Sequence, residues 1–212
     1  MPRRPRLQDA GFIHHVFSRG NNREKIFNFQ EDFQRMIEFI IEARKKHDVY
    51  LYNYVLMDNH LHFLIEPKSY GSLTQFMEYV LKNYAKYFNY QNDRVGHVFQ
   101  GRYKDLIIQT ETYFFRCLCY IDYNPVKSGL VKNAAEYTFS GHNSLAWGKE
   151  SQIKLDCHDI YKKLGFTDKE QQQVYREILP SFRYDNLSIE KKRSSVLGDK
   201  DFKDKINKKI KR

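Results

Sequence analysis

A chain of 212 residues, 41% hydrophobic and 16% aromatic, holds enough apolar material for one packed domain with appendages or for two small domains. No run approaches the roughly 18 uninterrupted apolar residues of a membrane span, and the basic start Met1-Pro2-Arg3-Arg4-Pro5-Arg6 leads into no apolar signal region, so the expected location is cytoplasmic. A formal charge of +10 favours a polyanionic partner, while Cys117, Cys119 and Cys157 fit neither a disulfide framework nor a zinc site.

In chain order, Phe12 to Ser18 reads as a strand that ends in the turn-like Gly20-Asn21-Asn22. Glu31 to His47 carries Phe33, Met36, Ile37, Ile40, Ile41 and Ala43 at three- and four-residue spacing, which predicts a helix. Val49 to Met57 and His60 to Glu66 read as strands joined by Asp58-Asn59, and Pro67 closes the second. Ser72 and Gln75 have the spacing of a capping box opening a long helix through Leu73, Phe76, Met77, Val80, Leu81, Tyr84, Tyr87 and Phe88. His97 to Gln109 predicts a fourth strand interrupted at Gly101. A helix from Thr110 follows, which Asn124-Pro125 is expected to end or kink.

This order, β-α-β-β-α-β-α, predicts an α+β fold, a ferredoxin-like or RRM-like antiparallel sheet with two helices on one face. The third helix is the candidate cover for the other face. The last third reads differently. Tyr137 to Trp147 is irregular and aromatic, and Thr167 with Glu170 caps a short helix stopped by Pro180. From Ser181 onward 11 Lys and Arg stand against 5 Asp and Glu, so a mainly helical extension ends in a basic tail.

Two motifs carry chemistry. In His60-Leu61-His62 on a strand, the imidazoles share one face while Leu61, Phe63 and Ile65 point to the core, so the pair is placed to bind one divalent cation. Taken alone, it is also what a polar strand face looks like. In Tyr120-Ile121-Asp122-Tyr123-Asn124-Pro125, a helix puts Tyr120 and Asn124 on one side, a phenol beside an amide oxygen. Tyr123, the other nucleophile candidate, falls on a different side.

Together the motifs resemble the single-tyrosine HUH transposases, nearest the REP-associated tyrosine transposase branch. The resemblance runs from about Phe12 to Val131. It extends to Arg19-Gly20-Asn21-Asn22 and Phe99-Gln100-Gly101-Arg102-Tyr103-Lys104. It implies a catalytic domain over 1–133 and an extension over 134–212. It further implies His60, His62 and Asn124 as metal ligands, Mg²⁺ or Mn²⁺ as cofactor, and Tyr120 as the nucleophile forming a 5′-phosphotyrosine. The implied substrate is single-stranded or hairpin-associated DNA. Arg19, Arg23, Arg102 and Lys104 are the candidate DNA contacts. A homodimer and a site shared between two chains stay open.

Two rival readings use other chemistry. A non-catalytic nucleic-acid-binding regulator on an RRM-like sheet fits the charge and topology but does not require Tyr120 to meet the His pair. A hydrolytic metal phosphodiesterase needs acidic ligands, for which only Asp58 and Glu66 stand near the histidines.

Overall fold

A computed structural model describes residues 7, 9–182 and 196–210. Four strands form the antiparallel part of the sheet: β1 (Ile13–Arg19), β2 (Val49–Met57), β3 (His60–Pro67) and β4 (Lys104–Ile108). A two-residue β5 (Val196–Leu197) pairs parallel to β4, giving a mixed sheet of order β2-β3-β1-β4-β5. The fourth strand is shorter than expected. Residues 97–103 turn away, and only Phe99 keeps a bridge, to Gly20.

Both faces of the sheet are covered. Helices α1 (Gln30–Lys46) and α2 (Ser72–Gln91) pack on the face that carries Val16, Tyr54, Leu56, Leu61, Phe63 and Ile65. These are the alternate positions of β1, β2 and β3, as the two-residue period of a strand requires. The opposite face, with Ile13, Phe17, Val55, Met57, Leu64, Leu106 and Ile108, lies under α3 (Thr110–Lys127). Fully burying one such side chain contributes roughly 1.5–3 kcal/mol, so it is the pair of cores and not any single contact that fixes the register.

The segment beyond position 133 belongs to this second core. Helices α4 (His142–Trp147), α5 (Asp159–Lys162) and α6 (Asp168–Phe182) contribute Ala146, Tyr161, Tyr175 and Leu179 to it. Its polar centre is Asp122 on α3, which is 1% exposed. Asp122 accepts from Asn53 Nδ2 at 2.7 Å, His142 Nδ1 at 2.8 Å and the Tyr175 hydroxyl at 2.7 Å. One carboxylate thus ties β2, α3, α4 and α6 together. The free edge of β2 is used as well: Leu56 donates to the Phe139 carbonyl, Gly141 to Tyr54, and Leu51 to the Asp156 carboxylate. Covering an edge in this way removes a template for unwanted strand pairing.

Several local expectations change. The Ser72–Gln75 capping box does not form; Gly71 is the N-cap, and the Ser72 hydroxyl donates instead to the Ser69 carbonyl. The Thr167–Glu170 box does form, with reciprocal bonds of 3.0 and 3.3 Å. Pro125 does not stop α3, which continues to Lys127, because a proline in the last turn removes one hydrogen bond from a helix already ending. Pro180 is tolerated in α6 in the same position relative to its end. Tyr137 to Trp147, expected to be irregular, contains α4. The described part of the basic tail forms α7 (Lys200–Ile210), whose Ile206 is buried with Ile107 and Val196; Lys191 lies outside the described residues.

Candidate active site

The site is built on the central strand pair and on α3. His60 and His62 stand on the face of β3 that looks toward α3, with ring centroids 5.0 Å apart, and His62 is fully buried. In the register of β1 against β3, Arg19 lies opposite His60 and Phe17 opposite His62. The face-alternation expected for His60-Leu61-His62 is therefore present: Leu61, Phe63 and Ile65 are completely buried on the other side.

Tyr120 reaches this face from α3 within the same chain. Its ring meets His62 edge-on at 5.6 Å between centroids and His15 edge-on at 5.5 Å. Asn124, one turn on, donates from Nδ2 to the Tyr120 carbonyl at 2.8 Å, which leaves its amide oxygen as the ligand-type atom. Tyr123 points elsewhere and lines a cavity with Lys132 and Trp147, so the two tyrosines are separated by helix geometry as expected.

His15 was not foreseen. It lies on β1 two residues before Phe17 and is completely buried. Its Nε2 shares a hydrogen bond of 3.0 Å with His62 Nδ1, the two rings nearly parallel at 7°. Burial in this apolar face pushes the His15 pKa down to about 3. Burial, followed by the nearby His60 and His15, places His62 well below the usual imidazole range. Both rings are neutral near pH 7, the state in which imidazole ligates a metal. Taking such polar rings out of water costs on the order of 1–3 kcal/mol each unless hydrogen bonds offset it. His15 Nδ1 has no such partner among the described residues.

The donor chemistry suits a divalent cation. His60 Nδ1 is engaged by Asn59 Oδ1 at 2.6 Å and His62 Nδ1 by His15, so Nε2 is the ligand-type nitrogen in both rings. Among the described residues no group of three or more His, Cys, Asp or Glu side chains is arranged to hold a metal. A third protein donor to the pair would then be of another kind, such as an amide or hydroxyl oxygen. The acids near the pair are committed elsewhere: Asp58 pairs with Lys25 at 3.0 Å, and Glu66 accepts from the Tyr52 hydroxyl at 2.6 Å.

Of the four candidate cations, two share the His face. Lys104 lies opposite Phe17 in β4, its ammonium 5.6 Å from that ring, and Arg19 is held by Gln100 at 2.5 Å. The segments around Arg19 and Gln100 meet beside the His60 turn through Asn21 N to Val98 O, Gln100 N to Arg19 O and Gly20 N to Asn59 O. Gly20 is required there, because a Cβ would lie 2.2 Å from the Glu24 carbonyl oxygen. Arg23 sits in the adjoining turn, where its carbonyl accepts from Asn59. Arg102 instead borders a groove along α2, the helix on the opposite face, with Thr74, Met77 and Leu81.

A mixed α+β sheet with a buried imidazole pair under a helical phenol is the class of protein that this fold and site define. The family described as "Transposase IS200 like" matches residues 10–124, and the chain belongs to it. The fold is similar to a solved structure described as the REP-associated tyrosine transposase bound to a REP hairpin. The two align with a TM-score of 0.58 and 19% identity, covering 74% of this chain and 93% of that one. A search of curated proteins returned no match. Among the described residues, no helix is long and apolar enough to cross a membrane.

Proposed function

We propose that this chain cleaves single-stranded DNA and transfers the strand through a covalent 5′-phosphotyrosine at Tyr120, at sites associated with hairpins. The observation that carries the reading is the Tyr120 ring seated against His62 and His15 in one chain, which supports a site assembled in cis. His60, His62 and Asn124 would hold Mg²⁺ or Mn²⁺, and mixed imidazole and oxygen donors favour Mn²⁺ somewhat. When bound, such a cation supplies positive charge to the oxygens of the scissile phosphate.

The protein's own groups do the rest. All three ligand side chains are neutral, so none of the cation's charge is cancelled. The Tyr120 oxygen attacks phosphorus, its bond to phosphorus forms as the P–O3′ bond breaks, and the released 3′-oxygen takes up one proton for the one that the phenol loses. The phosphodiester energy stays in the tyrosine ester, so a later 3′-hydroxyl can reverse the step without a nucleotide cofactor. His15 holds His62 in one orientation. Lys104 and Arg19, on the His face, and Arg23, in the adjoining turn, would contact the phosphates of a strand crossing that face. The hairpin on the structurally similar transposase supports a hairpin-bearing substrate.

Incubation with labelled single-stranded hairpin DNA and Mn²⁺ tests the reading. A protein–DNA adduct that survives denaturation is expected, and Tyr120→Phe removes it. Binding without any adduct would favour the regulator that binds DNA and does not cut it.

A further inference from the structure

Beside the C-terminal half of α3 opens a cavity of about 220 Å³, on the side that Tyr123 faces and Tyr120 does not. Lys132, His142, Trp147 and Arg176 line it. Its volume is below the ~300–1,000 Å³ of most small-molecule sites, which restricts an enclosed occupant to a group about the size of one base, with its sugar and phosphate at the open mouth.

The lining is preorganised. His142, only 5% exposed, gives its Nδ1 to Asp122, so Nε2 is the ring's remaining hydrogen-bonding atom. Asp122 is itself fixed by Asn53 and Tyr175, and the imidazole cannot turn without breaking that network. Arg176 donates to the Ala146 carbonyl and lays its guanidinium 4.3 Å from the centroid of the Trp147 ring. Trp147 nevertheless keeps half its surface open, and Lys132 is exposed. An aromatic plane backed by a cation, with a fixed imidazole and an amine around it, matches the faces, edges and phosphate of an unpaired base. By contrast, the pocket along α7 is lined by Asp201, Asp204 and three lysines, with no ring on which to stack.

We propose that this cavity binds one unpaired nucleotide of the DNA, its base stacked on Trp147 and its phosphate on Lys132. The proposal rests on the strand-transfer reading and adds a subsite to it. It also gives the segment after position 133 a task, holding the strand beside the helix that bears Tyr120.

Trp147 is the only tryptophan in the chain, so its emission reports on this cavity alone. A single-stranded oligonucleotide labelled for anisotropy is titrated into the protein while tryptophan emission is recorded. Quenching is expected with the same midpoint as the anisotropy rise, and a blunt duplex of the same sequence leaves the emission unchanged. Trp147→Leu weakens single-strand binding about ten-fold with unchanged melting. Lys132→Glu, at an exposed position, weakens it as well and flattens its salt dependence. Binding by anisotropy with unaltered Trp147 emission and wild-type affinity in both variants overturns the subsite but leaves the strand-transfer reading standing. An equal quench by the duplex overturns the preference for an unpaired base. Absence of any binding overturns both proposals.

Discussion

Replacing Asp122 by alanine removes the acceptor for three buried donors at once: the Asn53 amide, the His142 imidazole and the Tyr175 hydroxyl. A hydrogen bond to a charged group contributes about 1.5–3 kcal/mol, so three set an upper bound near 9 kcal/mol. The loss is smaller because the donors re-pair in part: Asn53 Nδ2 already lies 3.5 Å from the Leu118 carbonyl, and water can enter the space left by the carboxylate. Breaking a buried charged network by deleting one member typically costs about 3–5 kcal/mol. For a protein of this length each kcal/mol lowers Tm by roughly 2–4 °C, which predicts a fall of about 6–20 °C. Asp122→Asn retains one acceptor oxygen and should fall between alanine and wild type. Thermal unfolding followed by circular dichroism measures both. A drop below about 3 °C for Asp122→Ala would show that the carboxylate does not join the C-terminal helices to α3.

Three further outcomes follow from the site. His15→Phe keeps a ring of similar shape but removes the bond to His62, so Mn²⁺ affinity measured by electron paramagnetic resonance should fall about ten-fold, with partial recovery in His15→Gln; unchanged affinity in His15→Phe would dismiss the positioning role. His60→Ala and His62→Ala should abolish cleavage while single-strand binding persists, because Lys and Arg supply most phosphate contacts; cleavage at the parental rate in either would reject the ligand assignment. Lys104→Ala and Arg19→Ala should each reduce the slope of log affinity against log salt by about 0.7, one phosphate contact to a single strand; an unchanged slope would remove that residue from the DNA path.

The fold was legible where one physical rule acted alone. Two-residue alternation in Leu61, Phe63 and Ile65 against His60 and His62 fixed the faces of β3, and helical spacing placed Tyr120 away from Tyr123. Legibility failed where the partner was distant in the chain. His15 lies 47 residues from His62, and nothing in Ile13-His14-His15-Val16-Phe17 says which histidine faces the His60–His62 pair until β1 and β3 are in register. Asp122 reads locally as an ordinary helix residue, since its partners at 53, 142 and 175 come from three other elements. The shortened β4 reflects a break in its pairing with β1 between Lys104 and the Phe99–Gly20 bridge, around Gly101 with φ 72°. Arg102 looked like Lys104 in sequence, yet two positions along a turning chain carry it to the groove beside α2.

In the proposed reaction the Tyr120 oxygen becomes bonded to DNA. Tryptic digestion after reaction with a hairpin oligonucleotide and Mn²⁺ releases a peptide running from 117 to 127, which contains both Tyr120 and Tyr123. Fragmentation by mass spectrometry then assigns the added nucleotide mass. The prediction is that it resides on Tyr120; mass found on Tyr123, or on another residue altogether, would contradict the account.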